Sequence, residues 1–332
     1  MEKGDTVTIN KRELMLGALA AAVSSAAAVV PASGQAFPSK PIRIIAPFAA
    51  GGNVDVTARL VGEAMSRQFG QPVIVENRPG AGGVVGNEAT LAAPADGHTV
   101  VVGAFGTMYV APVMAGKPSM IDAFAPVSML STVPMVVVVP ANSRFVDWRS
   151  LMAEASAKPA TVTLGHAGNG TTNHTDILLI QVSEKVTFSI VPYRGSGVGL
   201  NDVMAAQIDG YVDQLSTSLP HIKSGKLRPL LVIGPQRVAE LPDVPSLADV
   251  GIAPFDGGTT LGVFVRSGTP KPIITALNSA IVAALGVPAV RQRLTELGAV
   301  VRPSTPEALV ESMKIDEASI GGLAKLGLLK PE

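Results

Sequence analysis

The fold is decided by Ile42-Arg43-Ile44-Ile45-Ala46-Pro47 and by the loop that follows it, Phe48-Ala49-Ala50-Gly51-Gly52-Asn53. The first stretch is rich in β-branched residues and predicts a short strand, while the glycine-rich loop predicts a tight turn. Over residues 54–69 apolar side chains recur at helical spacing, and Gly70 is a residue type that ends helices. The stretch therefore predicts a strand, a turn and a helix in succession.

The same strand–turn–helix unit recurs along the chain. Strands are predicted at residues 73–76, 99–103, 161–164, 186–191, 208–212, 230–233 and 260–265, and the later helices at 148–157, 272–285, 289–297 and 306–323. Residues 135–139 form an apolar run that ends at Pro140. Such alternation predicts an α/β fold with mainly parallel sheets. In these sheets ligands bind beyond the carboxyl ends of the strands, where the glycine-rich loops of this chain lie.

The length of 332 residues is large for one core and suits two α/β lobes. The strand at 260–265 is interpreted as a return to the first lobe. We therefore expect a discontinuous lobe 1 at residues 37–139 and 259–332, and an inserted lobe 2 at residues 140–258. The chain would cross between them near Pro140 and Gly258.

Composition excludes several classes of function. Lys plus Arg and Asp plus Glu number 26 each, and only 4% of the residues are aromatic. A balanced charge and few stacking side chains disfavour a nucleic-acid-binding surface. Cysteine is absent, which excludes disulfides, thiolate metal sites, a cysteine nucleophile and a lipid-modified N-terminal cysteine. We expect no cofactor and no bound metal.

The first 36 residues are predicted to be a signal peptide. Lys11-Arg12 precedes an Ala/Val-rich stretch that extends to Val30, and small residues lead to a predicted cleavage site after Ala36. A membrane anchor is the alternative, which Ser24-Ser25 within the apolar stretch disfavours. The Sec and twin-arginine export routes both stay open. The mature chain is expected to be periplasmic, monomeric and not inserted in the membrane.

Three loops place a glycine-rich backbone at the start of a helix: residues 50–53, 80–83 and 168–172. The first turn of a helix has about four N–H groups without intrahelical partners and about half a positive charge. Glycine lets an anion approach that backbone, so a carboxylate can bind without Lys or Arg. Two such loops facing each other would hold both ends of a dicarboxylate. The alternative is that each glycine only allows a tight turn.

The roles of several side chains stay open at this stage. Asp55 either caps its own helix, the interpretation that we favour, or contacts a ligand amine. Asp213 either contacts such an amine or holds a helix N-terminus. Arg194 is either an anion contact or a solvated surface residue. His166 and His174 lack the spacing of a helical metal pair and are interpreted as structural or cleft-lining residues.

The loops also carry a resemblance to a known family. Residues 41–55 and, above all, Val75-Glu76-Asn77-Arg78-Pro79-Gly80-Ala81-Gly82-Gly83 resemble the Bug family, the periplasmic receptors of tripartite tricarboxylate transporters. Further similar stretches follow in the order of the family: residues 96–99, 124–127, 191–195, 219–228 and 241–245. The resemblance covers nearly the whole mature chain.

The resemblance implies a class II periplasmic-binding-protein fold with two Rossmann-like lobes and a hinge. It also implies a carboxylated ligand (a dicarboxylate or tricarboxylate, an amino acid or an aromatic acid) and integral-membrane transporter subunits as partners. Thr172-Asn173-His174 and Gln214 depart from the usual pattern of the family, which leaves the ligand open. The predicted ligand-binding residues are Phe48, Ala50, Gly51, Gly52, Asn53, Asp55, Asn77, Gly80, Ala81, Gly82, Thr107, Gly168, Asn169, Gly170, Thr171, Thr172, His174, Arg194, Gly195 and Asp213.

Two other functions are compatible with the same scaffold. A sensor subunit would bind the ligand and present it to a signalling partner instead of a transporter. A secreted enzyme would need a nucleophile–base pair or a metal site, and the sequence shows neither pattern. We therefore expect a binding protein and not an enzyme.

Overall fold

The computed structural model describes Gly4 and residues 37–255 and 257–329 of the protein. The predicted signal peptide, residues 1–36, lies outside this part except for Gly4. The described strands are β1 (Ile42–Ala46), β2 (Val73–Asn77), β3 (Thr99–Gly103), β4 (Phe124–Val133), β5 (Met135–Pro140), β6 (Thr163–His166), β7 (Ser189–Pro192), β8 (Gly210–Gln214), β9 (Leu227–Ile233), β10 (Thr259–Arg266) and β11 (Val300–Val301).

The helices alternate with these strands. They are α1 (Asn53–Phe69), α2 (Val84–Leu91), α3 (Ala111–Met114), α4 (Trp148–Ala157), α5 (Thr172–Glu184), α6 (Ser196–Met204), α7 (Leu215–Lys223), α8 (Lys271–Gly286), α9 (Pro288–Glu296) and α10 (Pro306–Lys325). A π-helical turn, Gly106–Val110, precedes α3. No single helix in this part of the chain is long and apolar enough to cross a membrane. Helices α8 and α9 reach that length and apolarity only when they are taken together, and a 70° bend separates them.

Two sheets organise the chain. The six-stranded sheet has the order β11-β4-β10-β3-β1-β2, and the five-stranded sheet has the order β7-β6-β8-β5-β9. Strand β1 runs parallel to β2 and β3, and β6 runs parallel to β7 and β8. All pairs that involve β5 or β10 are antiparallel. The predicted parallel pairing is therefore found within the two strand–helix series, β3-β1-β2 and β7-β6-β8, each of which forms one end of its sheet.

The antiparallel strands are those that carry the chain between the sheets. Strands β4 and β5 are separated by Pro134 alone, yet β4 belongs to the six-stranded sheet and β5 to the five-stranded sheet. Parallel neighbours need a long crossover connection, and this link has none. The lobe limits at 139/140 and 258/259 stay a prediction, and the membership of β5 favours Pro134 as the first crossing.

Strand β5 is buried on both faces. Val136 and Val138 belong to the larger apolar core, and Met135, Val137 and Val139 belong to a second core. Strands buried on both sides carry continuous apolar runs instead of alternating ones, as the sequence of β5 does. This strand therefore connects the two cores through the middle of the five-stranded sheet.

Most predicted elements lie within three residues of the observed ones, but β4 was not predicted. Its buried apolar residues, Phe124, Val127, Leu130 and Val133, recur every three residues instead of every two. The register between β4 and β10 shifts twice, between Leu261 and Gly262 and between Val263 and Phe264. Each extra residue in a ladder reverses the alternation of faces, so the period-2 signal of a strand is lost.

Arg228 on β9 fixes the loop between β5 and α4, and this contact generates a prediction. Its guanidinium donates to the carbonyl oxygens of Ala141, Ser143 and Phe145 at 2.7, 3.3 and 3.0 Å. Arg228→Ala leaves these acceptors without their donor, so we expect the free energy of unfolding to fall by about 2–3 kcal/mol. Chemical denaturation measures this. The control is Arg67→Ala on the surface of α1, expected within about 0.5 kcal/mol, and an equal effect of the two variants would contradict the prediction.

Candidate functional site

A cavity with uncharged walls lies where elements of the two sheets meet. Its lining comes from the loops and helix starts after β1, β3, β6, β7 and β8, together with β10. The lining residues are Phe48, Gly52, Asn53, Val54, Gly103, Ala104, Gly106, Thr107, Ala167, Thr171, Thr172, Asn173, Ser196, Gln214, Thr259 and Leu261. None of these described residues carries a charge.

The first wall is the N-terminus of α1. Gly52 is the N-cap residue with extended backbone, and the helix begins at Asn53. The Asn53 side chain is only 4% exposed, and its Oδ1 accepts a hydrogen bond from Ser216 Oγ at 2.9 Å. Its Nδ2 has no hydrogen-bond partner within the described part of the chain. A buried donor without a partner is costly, so the amide indicates a place for an acceptor.

A second part of the wall is the N-terminus of α5. Thr171 is the N-cap residue, and its carbonyl oxygen accepts from the N–H groups of His174 and Thr175. The N–H groups of Thr172 and Asn173 belong to the first turn, which has no preceding carbonyls to accept them. Both residues line the cavity. This end of α5 therefore brings N–H donors to the cavity that the start of α1 also lines.

Two further helices begin at the cavity. Ser196 is the first residue of α6, and Gln214 is the N-cap residue of α7. An ideal Cβ on Gly52 would lie 4.0 Å from the backbone nitrogen of Ser196, so the starts of α1 and α6 lie close together. Four helix N-termini thus meet at one cavity. Each adds partial positive charge, and together they favour an anion there.

Two buried histidines support the loop before α5. The imidazoles of His166 and His174 stack with centroids 4.4 Å apart, and their Nδ1 atoms accept from the N–H groups of Gly168 and Gly170, each at 3.2 Å. Burial, and for His166 also the neighbouring imidazole, lowers the pKa of His166 to about 3, while burial lowers the pKa of His174 to about 4. Both rings are therefore neutral near pH 7. The glycine N–H groups of this loop bond to histidine, and the helix start itself faces the cavity.

Asp55 turns back from the first turn of α1 to the loop before it. Its carboxylate accepts from the Gly51 N–H at 3.0 Å and from Asn77 Nδ2 at 2.9 Å, and it pairs with Arg59 at 2.8 Å. Burial alone would raise the pKa of Asp55, but hydrogen bonds from Arg59, Gly51 and Asn77 outweigh it and hold the pKa below its usual value. Asp55 therefore stays ionised, and its charge is directed to the loop and not to the cavity.

Asp213 holds the first turn of α7. It is fully buried, and its Oδ2 accepts from Thr217 Oγ1 and Ser218 Oγ, each at 2.6 Å. Burial raises the pKa of Asp213, and the surrounding hydrogen-bond donors offset this only in part. Of the two roles left open by the sequence, the observed contacts are those of the helix anchor.

A second chamber adjoins the cavity and shares Phe48 and Ala167 with it. It brings together Gly80, Ala81 and Gly82 from the loop after β2 with Gly168, Asn169, Pro192, Tyr193 and Arg194. The Arg194 side chain is exposed and has no ion pair among the residues that the structure describes. We call this space the outer chamber.

The structure separates the predicted ligand-binding residues into three groups. Those in the cavity are Phe48, Gly52, Asn53, Thr107, Thr171 and Thr172. Those in the outer chamber, besides Phe48, are Gly80, Ala81, Gly82, Gly168, Asn169 and Arg194. Those lining neither space are Ala50, Gly51, Asp55, Asn77, Gly170, His174, Gly195 and Asp213.

Sequence reasoning missed several lining residues. Ser196 could have been predicted from the sequence, because it stands between two glycines, after a strand and before a helix. Asn53 likewise follows a glycine at a helix start. Gln214 directly follows Asp213 at a strand end. Thr259 and Leu261 had no local signal, because β10 reaches the site only through long-range pairing with β3 and β4. No cluster of three His, Asp or Glu side chains suited to a metal occurs in residues 37–255 and 257–329.

Comparisons with known proteins agree on one family. A family model described as the tripartite tricarboxylate transporter family receptor matches residues 57–311. The chain is 36% identical over 313 residues to the UPF0065 protein in the tcbD-tcbE intergenic region of Pseudomonas sp. strain P51, covering 93% of this chain and 92% of that protein.

Solved structures agree as well. The periplasmic binding protein BugD is 29% identical with a TM-score of 0.84, covering 89% of this chain and all of that one (100%). MatC from Rhodopseudomonas palustris, solved with bound malate, is 32% identical with a TM-score of 0.79, covering 86% of this chain and 100% of that one. The expected two-lobed periplasmic-binding-protein fold is confirmed.

The two histidines predict an acid-dependent loss of stability. Their pKa values in the folded chain, about 3 and about 4, lie below the ordinary value of 6.5. The unfolded chain therefore binds more protons as the pH falls below about 6.5, and each histidine lowers the free energy of unfolding by up to about 1.4 kcal/mol per pH unit. Denaturation between about pH 6.5 and 5 tests this above the range in which carboxylates of ordinary pKa titrate.

The matched variant for this test is His174→Asn, whose side-chain oxygen replaces the Nδ1 acceptor but does not titrate in this range. We expect its stability to depend less steeply on pH than that of the wild type. Equal slopes would show that His174 is not held neutral by the fold.

Proposed function

Since the chain belongs to the tripartite tricarboxylate transporter receptor family, we propose that it captures a small carboxylate between its two lobes and delivers it to integral-membrane transporter subunits. The family consists of substrate-binding receptors, which agrees with the expectation that the chain is not an enzyme. We further propose that it works in the periplasm, as the periplasmic binding proteins among its relatives do.

The observation that carries the proposal is the meeting of four helix N-termini at a cavity without charged walls. Helices α1, α5, α6 and α7 have 17, 13, 9 and 9 residues, long enough for aligned peptide dipoles. The Asn53 Nδ2, buried and without a partner in the described part of the chain, supplies an additional donor at the same place. A carboxylate offers two acceptor atoms with about four lone-pair positions, which suits such a set of donors.

The same geometry supports a clamp mechanism. The α1 start belongs to one lobe and the starts of α5, α6 and α7 to the other, so closure brings ends of equal partial charge together. Their mutual repulsion opposes closure until an anion lies between them. The ligand then makes contacts in the closed form that the open form lacks, and this difference shifts the equilibrium toward closure.

The outer chamber supports a ligand with a second polar end. It continues from the cavity past Phe48, and Arg194 is a cation on its wall. A dicarboxylate would place one carboxylate among the helix ends and the other near Arg194. Malate, the ligand bound to the relative MatC, has this arrangement of groups. Amino acids and aromatic acids remain alternatives that a ligand screen separates.

A thermal-shift screen tests the ligand class. The compounds are malate, succinate, adipate, citrate, aspartate, glutamate and benzoate, with the diamide of malate as the uncharged control. At 100 times its dissociation constant, a ligand adds about 2.7 kcal/mol to the free energy of unfolding. We expect at least one carboxylate to raise the melting temperature and the diamide to leave it unchanged. A diamide that stabilises as well as the acid would contradict binding by helix charge.

Asn53→Asp tests the site itself. The change keeps the shape of the side chain but places a negative charge where the carboxylate binds, so we expect affinity to fall by at least about 100-fold. An Asp in the first turn of a helix is favourable, so the folded state should keep its stability. Isothermal titration with the compound found in the screen measures the change.

Asn142→Asp is the control, because it adds the same charge at an exposed position between β5 and α4. We expect it to change affinity by less than about threefold, since exposed charges are screened by salt. Equal affinity of the Asn53→Asp variant and the wild type would exclude the α1 start from the site. Loss of uptake when the protein is deleted from cells, with carboxylate uptake restored by the wild type, tests the transport role.

A further inference from the structure

Backbone atoms of the two lobes touch beside the cavity. Gly197, in the first turn of α6, packs against the carbonyl oxygen of Ala50 in the loop between β1 and α1. A Cβ atom at Gly197 would overlap that oxygen, which is a rigid backbone atom and not the end of a flexible side chain. The contact therefore requires glycine at this position.

Two hydrogen bonds hold the same pair of segments together. The N–H of Ala49 donates to the carbonyl oxygen of Arg194 at 3.0 Å. Ser216 Oγ donates to Asn53 Oδ1 at 2.9 Å. Both bonds connect the first turn of α1, or the loop before it, with the segments that begin α6 and α7. The Gly197–Ala50 contact lies within this set of inter-lobe contacts.

Backbone conformation gives no reason for a glycine at position 197. Its φ angle is not in the left-handed region, unlike those of Gly195 and Gly51, at +133° and +83°. In a helix with ordinary dihedral angles alanine is the better helix former, by about 0.5–1 kcal/mol. The approach of the Ala50 carbonyl is thus the feature that explains the missing side chain.

We propose that Gly197 is a positioning residue for ligand capture: its missing side chain lets α6 approach the loop before α1, which brings Ser196 to the cavity. The inference rests on the proposed function, because it concerns the closed form of the same site. A methyl group at position 197 would keep the α6 start away from the α1 start. Ligand could still dock on one lobe, but the contacts from α6 would be lost.

The test separates closure from folding. In Gly197→Ala we expect affinity for the bound carboxylate to fall by about tenfold or more, the equivalent of one charge-assisted hydrogen bond. The melting temperature without ligand should be unchanged or raised. Gly321→Ala in α10, where nothing lies within 4 Å of the added Cβ, is the matched control and should change neither affinity nor closure.

Closure is measured directly by the distance between two spin labels. The chain contains no cysteine, so Ile74→Cys on β2 and Val146→Cys before α4 give unique labels, and their side chains are 52% and 66% exposed. The closing probe is an equimolar mixture of malate, adipate, citrate, glutamate and benzoate. We expect the label distance of the wild type and of Gly321→Ala to shorten with the probe, and that of Gly197→Ala to stay long.

Each outcome has one meaning. If Gly197→Ala closes like the wild type and binds equally well, the inference is overturned. If the wild type does not respond to the mixture, the proposed function fails, and the inference fails with it. If Gly197→Ala does not fold, Gly197→Ser replaces it, because serine has the same Cβ and a helix-capping hydroxyl. Closure of Gly197→Ser to the same extent as the wild type would also overturn the inference.

Discussion

The facing helix N-termini are the constraint on which the rest of the site depends. The starts of α1 and α6 lie close together, because a Cβ atom added to Gly52 would be 4.0 Å from the backbone nitrogen of Ser196. The start of α5 lines the same cavity. Ends of equal partial charge repel one another at this short distance. An anion converts this repulsion into attraction toward a common centre. In the proposed function, binding and closure are coupled through this one electrostatic interaction, and none of the described residues of the cavity wall carries a charge.

The surrounding residues keep other charges out of the cavity. Asp55 is ionised but bonds to Gly51, Asn77 and Arg59, so its charge stabilises the loop before α1. His174 is neutral and accepts a loop N–H group, which fixes the backbone before α5. Asp213 binds the hydroxyl groups of the first turn of α7. Titratable groups next to the site thus position the helix starts, and the proposed ligand contacts are backbone N–H groups and Asn53.

The strand–turn–helix units were predictable because each depends on local signals: β-branched runs, glycine turns and apolar spacing. Gly52, Asn53, Thr171 and Thr172 were predicted for the site on the same basis, since a helix start is visible in sequence. Strand β4 was not predictable, because two register shifts against β10 remove its alternation. The role of Gly197 was not predicted, because its contact is the carbonyl oxygen of Ala50, nearly 150 positions away in the chain. Contacts between distant segments have no signal in local sequence.

A crystal structure of the complex with the carboxylate that stabilises the protein most would test the central claim most directly. The account predicts carboxylate oxygens within about 2.7–3.2 Å of backbone nitrogens at the starts of α1 and α5, with Asn53 Nδ2 as a further donor. A carboxylate bound through Arg or Lys side chains away from these helix starts, or held by one lobe alone in a closed protein, would contradict it.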